Sequence, residues 1–261
     1  MFDTIAFDVS HEGIATLTFN RPDHFNGMTA EMGREIREAL AEVTRREDVR
    51  VVVLTGAGRA FCPGADIKHF NAEGSPDAGL ASPAVADTTT PSLLHELPIP
   101  TIAAVNGPCA GAGLGLACAC DLRVASRSAV FRSAFLSVGV AGDMGVPWSL
   151  PRLIGAANAK RISFLDEKLT PEQALSLGLV SHVFDDNEFR DRVGELASRI
   201  AAGPPLATRA LKAHYLAAEQ TNFRTFVDME FQRHFHLLAT RDAREGFVAF
   251  GERRDAKFTG S

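Results

Sequence analysis

The chain has no basic cluster. Its 27 Lys and Arg residues are scattered among 32 Asp and Glu, for a net charge of -5, which leaves no electrostatic footprint for a nucleic-acid partner. It has only four cysteines, Cys62, Cys109, Cys118 and Cys120, with no CxxC pair and no histidine at ligand spacing. That argues against a metal site or a disulfide framework and for buried free thiols in a reducing compartment. The opening MFDTIAFDVS lacks a charged segment followed by an apolar one and reads as a half-buried strand. Export is therefore not indicated, and a cytoplasmic location is the expectation. Charge is missing altogether from Leu97 to Cys120, 24 residues, long enough to raise the question of a membrane helix. Pro98, Pro100, Pro108 and Asn106 answer it: the run divides into a buried strand, a turn and a small-residue helix, and no membrane partner is expected.

What is present is a large apolar fraction, 46% of 261 residues, enough for one large domain with a helical appendix. Residues 4 to 9 and 13 to 19 read as a hairpin around His11-Glu12-Gly13. Apolar residues recur at helical spacing from Thr29 to Arg46, with Thr29 placed to cap. VRVVVLTGAG (49 to 58) and PTIAAVNG (100 to 107) are parallel-type strands that end in glycine, and DLRVAS follows the small-residue helix as a third. Between the first two, residues 71 to 91 are rich in Gly, Ser, Pro and Asp and read as a mobile loop leading to a helix over 92 to 97. From Gly145 the pattern is mainly helical, interrupted at 179 to 186, with helices expected over 187 to 202, 205 to 219, 222 to 239 and 242 to 251. The fold class is α/β, a βα core followed by a helical C-terminal part.

Two stretches share one grammar of strand, then glycine and small residues, then a helix start: VVVLTGAGRAFCPGADI and PTIAAVNGPCAGAGLGL. N–H groups at such helix starts have no intrahelical acceptor and can bind an anion or a polarised carbonyl oxygen. A dinucleotide fingerprint fails on spacing, because Leu116 stands where its third glycine is needed, and no Gly-Lys-Ser/Thr follows for a P-loop. Small residues that merely allow close packing on a sheet remain one reading. Two N–H groups converging on one oxygen as an oxyanion hole are the other.

RAFCPGADI, AAVNGPCAGAGLGLACACDLRVAS, LPRLIG, ALSLGLVSHVF and the terminal REGFVAF and KFTG resemble, in order and across nearly the whole chain, the enoyl-CoA hydratase/isomerase (crotonase) superfamily. The resemblance implies a spiral of ββα units over residues 1 to 200 and a helical trimerisation part over 201 to 261, in a homotrimer or a dimer of trimers. It implies an acyl-CoA thioester as substrate, with coenzyme A entering as part of the substrate and no further cofactor. Oxyanion donors fall on the backbone N–H of Ala65 and Ala112. Contacts to the substrate fall on His24, Phe25, Gly64, Asp66, Ile67, Lys68, Gly113, Gly115 and Phe135, with Arg21 to Phe25 and Ala65 to Lys68 receiving the adenine end. Asp66 has a second reading as the cap of a short helix.

The family's hydratases carry two glutamates, in GGGCELA and QPEIxLG. Set against those patterns, AGAGLGLA puts Gly115 at the first position and SAFLSVG puts Phe135 at the second, so both acids are missing. Neither replacement exchanges a proton, which disfavours two-carboxylate hydration. The resemblance moves the proton chemistry to Asp143, in VGVAGDMG, at a position where several isomerases and dehalogenases of the superfamily carry a catalytic aspartate. Enclosed in an apolar pocket beside Phe135, such a carboxyl would have a raised pKa. The features RSAxFxxAF, WSLPRLIG, REGFVAF and KFTG are most similar to the 2-(1,2-epoxy-1,2-dihydrophenyl)acetyl-CoA isomerase branch, which implies isomerisation through an enolate. Hydration, hydrolysis or dehalogenation by Asp143, and acyl-CoA binding without catalysis, are the alternatives. His24 and His95 have no partner spacing, and His234 and His236, two apart on a helix, face different ways.

Overall fold

Val51, Val52, Val53 and Leu54 are all buried in strand β3 (Val51–Gly56), because both faces of its sheet are covered. The computed structural model describes residues 2–68 and 89–261. Strand β3 is central in a six-stranded sheet with β1 (Ile5–Val9), β2 (Ile14–Phe19), β4 (Thr101–Val105), β6 (Leu122–Ser126) and β9 (His182–Phe184), ordered β1-β2-β3-β4-β6-β9. Only the β1–β2 hairpin is antiparallel. Side chains alternate between two cores: Val52, Leu54, Ala103, Val105 and Ala125 face the larger one, and Val51, Val53, Ile102, Ala104 and Val124 pack under Phe189, Val193 and Ala197 of a later helix.

A second sheet of three very short strands, β5 (Pro108–Ala110), β7 (Val130–Arg132) and β8 (Lys168–Leu169), runs beside the first. The sequence pattern did not announce it, since runs of two or three residues carry no period. It makes the repeat visible. Strand β4 lies in the large sheet, β5 in the small one, and helix α3 (Ala112–Ala119) follows; β6, β7 and helix α4 (Val146–Ile154) repeat the order. One step earlier, β3 is followed by an extended segment whose Cys62 bridges Cys109 of β5, and then by a helical turn opening at Ile67. This is the α/β spiral of ββα units that the resemblance implied.

Helix α1 (Ala30–Arg45) begins where expected, with the Thr29 Oγ1 accepting the Met32 N–H at 3.2 Å. Helix α2 (Thr89–Glu96) begins three residues before the helix expected from 92. Most of the loop expected over 71 to 91 lies outside the described residues. Helices α5 (Ala156–Leu165), α6 (Pro171–Ser176), α7 (Phe189–Ala201), α8 (Pro205–Ala218), α9 (Phe223–Leu238) and α10 (Arg241–Glu252) complete the chain. The last four agree with expectation to within two residues at each end. None of the helices among the described residues is long and apolar enough to cross a membrane. The four cysteines are free and buried, and burial pushes the thiols of Cys62 and Cys118 up to about 11 and that of Cys120 to about 12.

One buried cation ties α8 to the sheet. Lys212 Nζ donates to the Ile99 carbonyl at 3.1 Å and to Asp121 Oδ2 at 2.8 Å, and the same carboxylate oxygen accepts the Thr101 N–H at 2.8 Å. Asp121 thus has a structural role, joining α8 to the start of β4. Lys212→Met and Asp121→Asn should each cost about 2 kcal/mol in urea unfolding, Asp121 being partly solvated, and the double variant should lose less than the sum.

Candidate active site

The spiral places equivalent residues of successive units side by side. Cys62 N–H donates to the Pro108 carbonyl at 3.1 Å and Ala110 N–H to the Cys62 carbonyl at 3.0 Å, while Cys109 pairs with Phe131 in β7. Three residues on from these aligned positions stand Ala65, Ala112 and Ala134. Ala65 forms a parallel bridge with Met28, in which Met28 N–H donates to the Gly64 carbonyl at 2.8 Å and Asp66 N–H to the Met28 carbonyl at 3.0 Å. A parallel bridge of that kind leaves the middle residue's own N–H on the opposite edge, the edge where Ala110 to Ala112 lie. Ala112 is the first residue of α3, so its N–H has no intrahelical acceptor.

The two donors are close because nothing stands between them. A Cβ on Gly64 would lie 3.3 Å from the Ala110 carbonyl oxygen and 3.7 Å from Ala112 N, and Gly64 has φ +108°. Any other residue there would be strained and would push the segments apart. The third unit displays what such an N–H binds: Ala134 N–H donates at 3.0 Å to the carboxylate of Asp166. Burial would raise the Asp166 pKa, but the Arg132 guanidinium and the Ala134 N–H outweigh it and hold that carboxyl below its ordinary range. The same Arg132 segment anchors α3, since its carbonyl and that of Ser133 accept the Gly111 N–H at 3.3 and 3.2 Å.

The segments expected to receive the adenine end do meet. Arg21 pairs with buried Asp66 at 2.9 Å, and the exposed His24 ring lies 3.7 Å from the same carboxylate oxygen. Asp66, expected to contact substrate, is buried and joins the two segments. Asn26, fully buried with φ +61°, accepts the Arg21 N–H and donates to the Ala57 and Ala60 carbonyls, pinning the 21 to 28 loop to the turn after β3. Phe25 is exposed and carries the Arg59 guanidinium 4.2 Å above its ring. Arg59 was not singled out by the sequence. Ile67 and Lys68 are exposed at the start of the following helix.

Gly115 and Gly113, both expected to contact substrate, are packed too closely for any side chain. A Cβ on Gly113 would sit 2.0 Å from the Cys62 carbonyl oxygen. At Gly115 a Cβ would sit 2.2 Å from Met144 Cβ and 2.9 Å from the Met144 carbonyl oxygen. The space of the missing first glutamate is thus occupied by the residue next to Asp143, one helical turn along α3 from Ala112. Phe135 is buried in the larger core and does not line the Asp143 cavity.

Asp143 itself departs from expectation in its surroundings. Among the described residues it is exposed, on a cavity of about 420 Å³ whose wall is partly polar. Nor does it cap α4, whose N-cap residue is Gly145; its Oδ1 accepts the N–H of neighbouring Met144 at 2.7 Å. The cavity wall includes Ser92, His95 and Glu96 of α2, Ala119, Met144, Trp148, Ser149 and Glu219. His95 has a partner after all, Glu219, at 3.1 Å and 124 residues away, a distance along the chain that no spacing rule reaches. Gly115→Glu should overpack against Met144 and lower stability by about 1–3 kcal/mol. Loss of enoyl absorbance with crotonyl-CoA should show no gain of hydration in that variant.

A family model described as enoyl-CoA hydratase/isomerase matches residues 10–261. The 1,2-epoxyphenylacetyl-CoA isomerase of Escherichia coli (strain K12) is 38% identical over 263 residues, covering 97% of this chain and 98% of that protein. The (E)-benzylidenesuccinyl-CoA hydratase of Thauera aromatica is 35% identical over 267 residues, covering 98% and 99%. Among solved structures, an enoyl-CoA hydratase from Bacillus anthracis superposes with a TM-score of 0.93 at 30% identity, covering 99% of this chain and 100% of that one.

Proposed function

The chain belongs to the enoyl-CoA hydratase/isomerase family, and on that premise we propose that it is an acyl-CoA isomerase working through an enolate, with no cofactor beyond the coenzyme A of its substrate. The N–H groups of Ala65 and Ala112 hold the thioester oxygen. As a proton leaves the carbon beside the thioester, that oxygen gains negative charge, so two preorganised donors stabilise the transition state more than the ground state. Asp143 takes the proton, and protonation elsewhere on the conjugated system shifts the double bond. His24, Phe25, Ile67 and Lys68 receive the nucleotide end of the coenzyme, on segments joined by the Arg21–Asp66 pair.

The observation that carries the reading is Met144 filling the place of a side chain at 115. Water activation by two carboxylates has no room there, whereas a single carboxylate one residue away opens on the cavity. Asp143→Asn should slow solvent deuterium exchange beside the thioester by about 100-fold or more, with acyl-CoA affinity unchanged. Exchange at the parent rate would remove Asp143 from the mechanism.

Residues 201–261 serve, in the same proposal, as the trimerisation part. Helix α9 has no buried residue, yet it presents Phe223, Phe231 and Phe235 to solvent, and α10 presents Phe247 and Phe250. So much exposed aromatic surface needs a cover, and further copies of this chain, three or six together, supply it. Sedimentation equilibrium should give three or six times 28.0 kDa; a monomer would contradict this.

A further inference from the structure

The Asp143 cavity carries a second proton-handling pair that the mechanism above does not use. His95, in the last turn of α2, and Glu219, just after α8, meet with Nε2 3.1 Å from Oε2, and both are about one-third exposed, 32% and 28%. A partly solvated pair of this kind adds little to stability, so folding alone does not account for it. The imidazole is also held by Trp148, edge to face with ring centres 5.5 Å apart, and Trp148 in turn lies under the Arg152 guanidinium at 3.8 Å. Two elements besides its own helix, α4 and the end of α8, thus orient one histidine at the wall of the cavity that Asp143 lines. With Nε2–H committed to the Glu219 carboxylate, Nδ1 is the nitrogen able to give or take a proton. Among the described residues, the charged groups near it are Glu96 on its own helix, Glu219, Asp143 on the same cavity, and Arg152 behind Trp148.

The geometry points to His95 as a second catalytic residue, one that delivers the proton to the remote carbon of the acyl group, with Glu219 as its positioning residue. This rests on the isomerase reading. The Asp143 carboxylate takes the proton beside the thioester, and the C–H electron pair becomes the enolate. On collapse, that electron density forms a new C–H bond at the remote carbon with the proton from the His95 imidazolium. Asp143 then releases its proton to solvent, from which the imidazole regains one. No oxidant or reductant is needed. Glu219 stabilises the imidazolium while the proton is in transit.

A 3-enoyl-CoA in deuterated buffer tests this on the full-length protein, reading exchange beside the thioester and formation of the conjugated 2-enoyl thioester. His95→Gln should keep exchange within about twofold of the parent and lose isomerisation by about 50-fold or more. His95→Ala should regain part of it with added imidazole, and Glu219→Gln should fall between. Isomerisation by His95→Gln within threefold of the parent, or equal loss of both readouts, overturns the assignment. If the parent neither exchanges nor isomerises, the isomerase reading itself falls. The place of His95 against the acyl group is then read from its imidazole NMR signals, which should shift with 3-enoyl-CoA and not with coenzyme A; no difference between the two sinks it.

Discussion

Two hydrogen bonds between Cys62 and the Pro108–Ala110 segment hold one turn of the spiral against the next. Everything at the site depends on that register. It aligns Ala65 with Ala112, because each stands three residues beyond a bridged cysteine, and it brings Gly64 against the start of α3 with only the thickness of a glycine between them. Two backbone donors from segments 47 residues apart in sequence become neighbours without any side chain taking part. A pair of this kind is preorganised by the fold itself.

The surroundings explain the small residues as a set. Gly113 must pass the Cys62 carbonyl and Gly115 must pass Met144, so one face of α3 lies against the earlier unit and another against the loop that carries Asp143. Acid at position 115 and the present position of Met144 are mutually exclusive. The cavity beside that loop is mixed in character, with a histidine–carboxylate pair and an indole on its walls, which suits proton movement better than simple apolar enclosure.

Much of this was legible in the sequence. Thr29 marked the start of α1, the unbroken Val51–Leu54 run marked a strand buried on both faces, and the glycine after each strand marked the two donor segments. The motifs around Ala65 and Ala112 also carried the family. Other features were hidden for physical reasons. Strands β5, β7 and β8 are too short for an alternating pattern, and Arg59 reaches Phe25 only through the turn that Asn26 pins. His95 and Glu219 lie 124 residues apart in the chain. Asp143 was expected to be enclosed beside Phe135, but Phe135 turned into the core, which the apolar character of both neighbours could not distinguish.

The central claim is that the Ala65 and Ala112 N–H groups polarise the thioester carbonyl, and its infrared stretch in a bound, 13C-labelled acyl-CoA reads this directly. Ala112→Pro removes one donor at the first position of a helix, where proline is well tolerated. The account predicts a stretch lowered on binding to the parent and returned most of the way to the free value in Ala112→Pro. A frequency unchanged on binding, or the same lowering in both proteins, would contradict it.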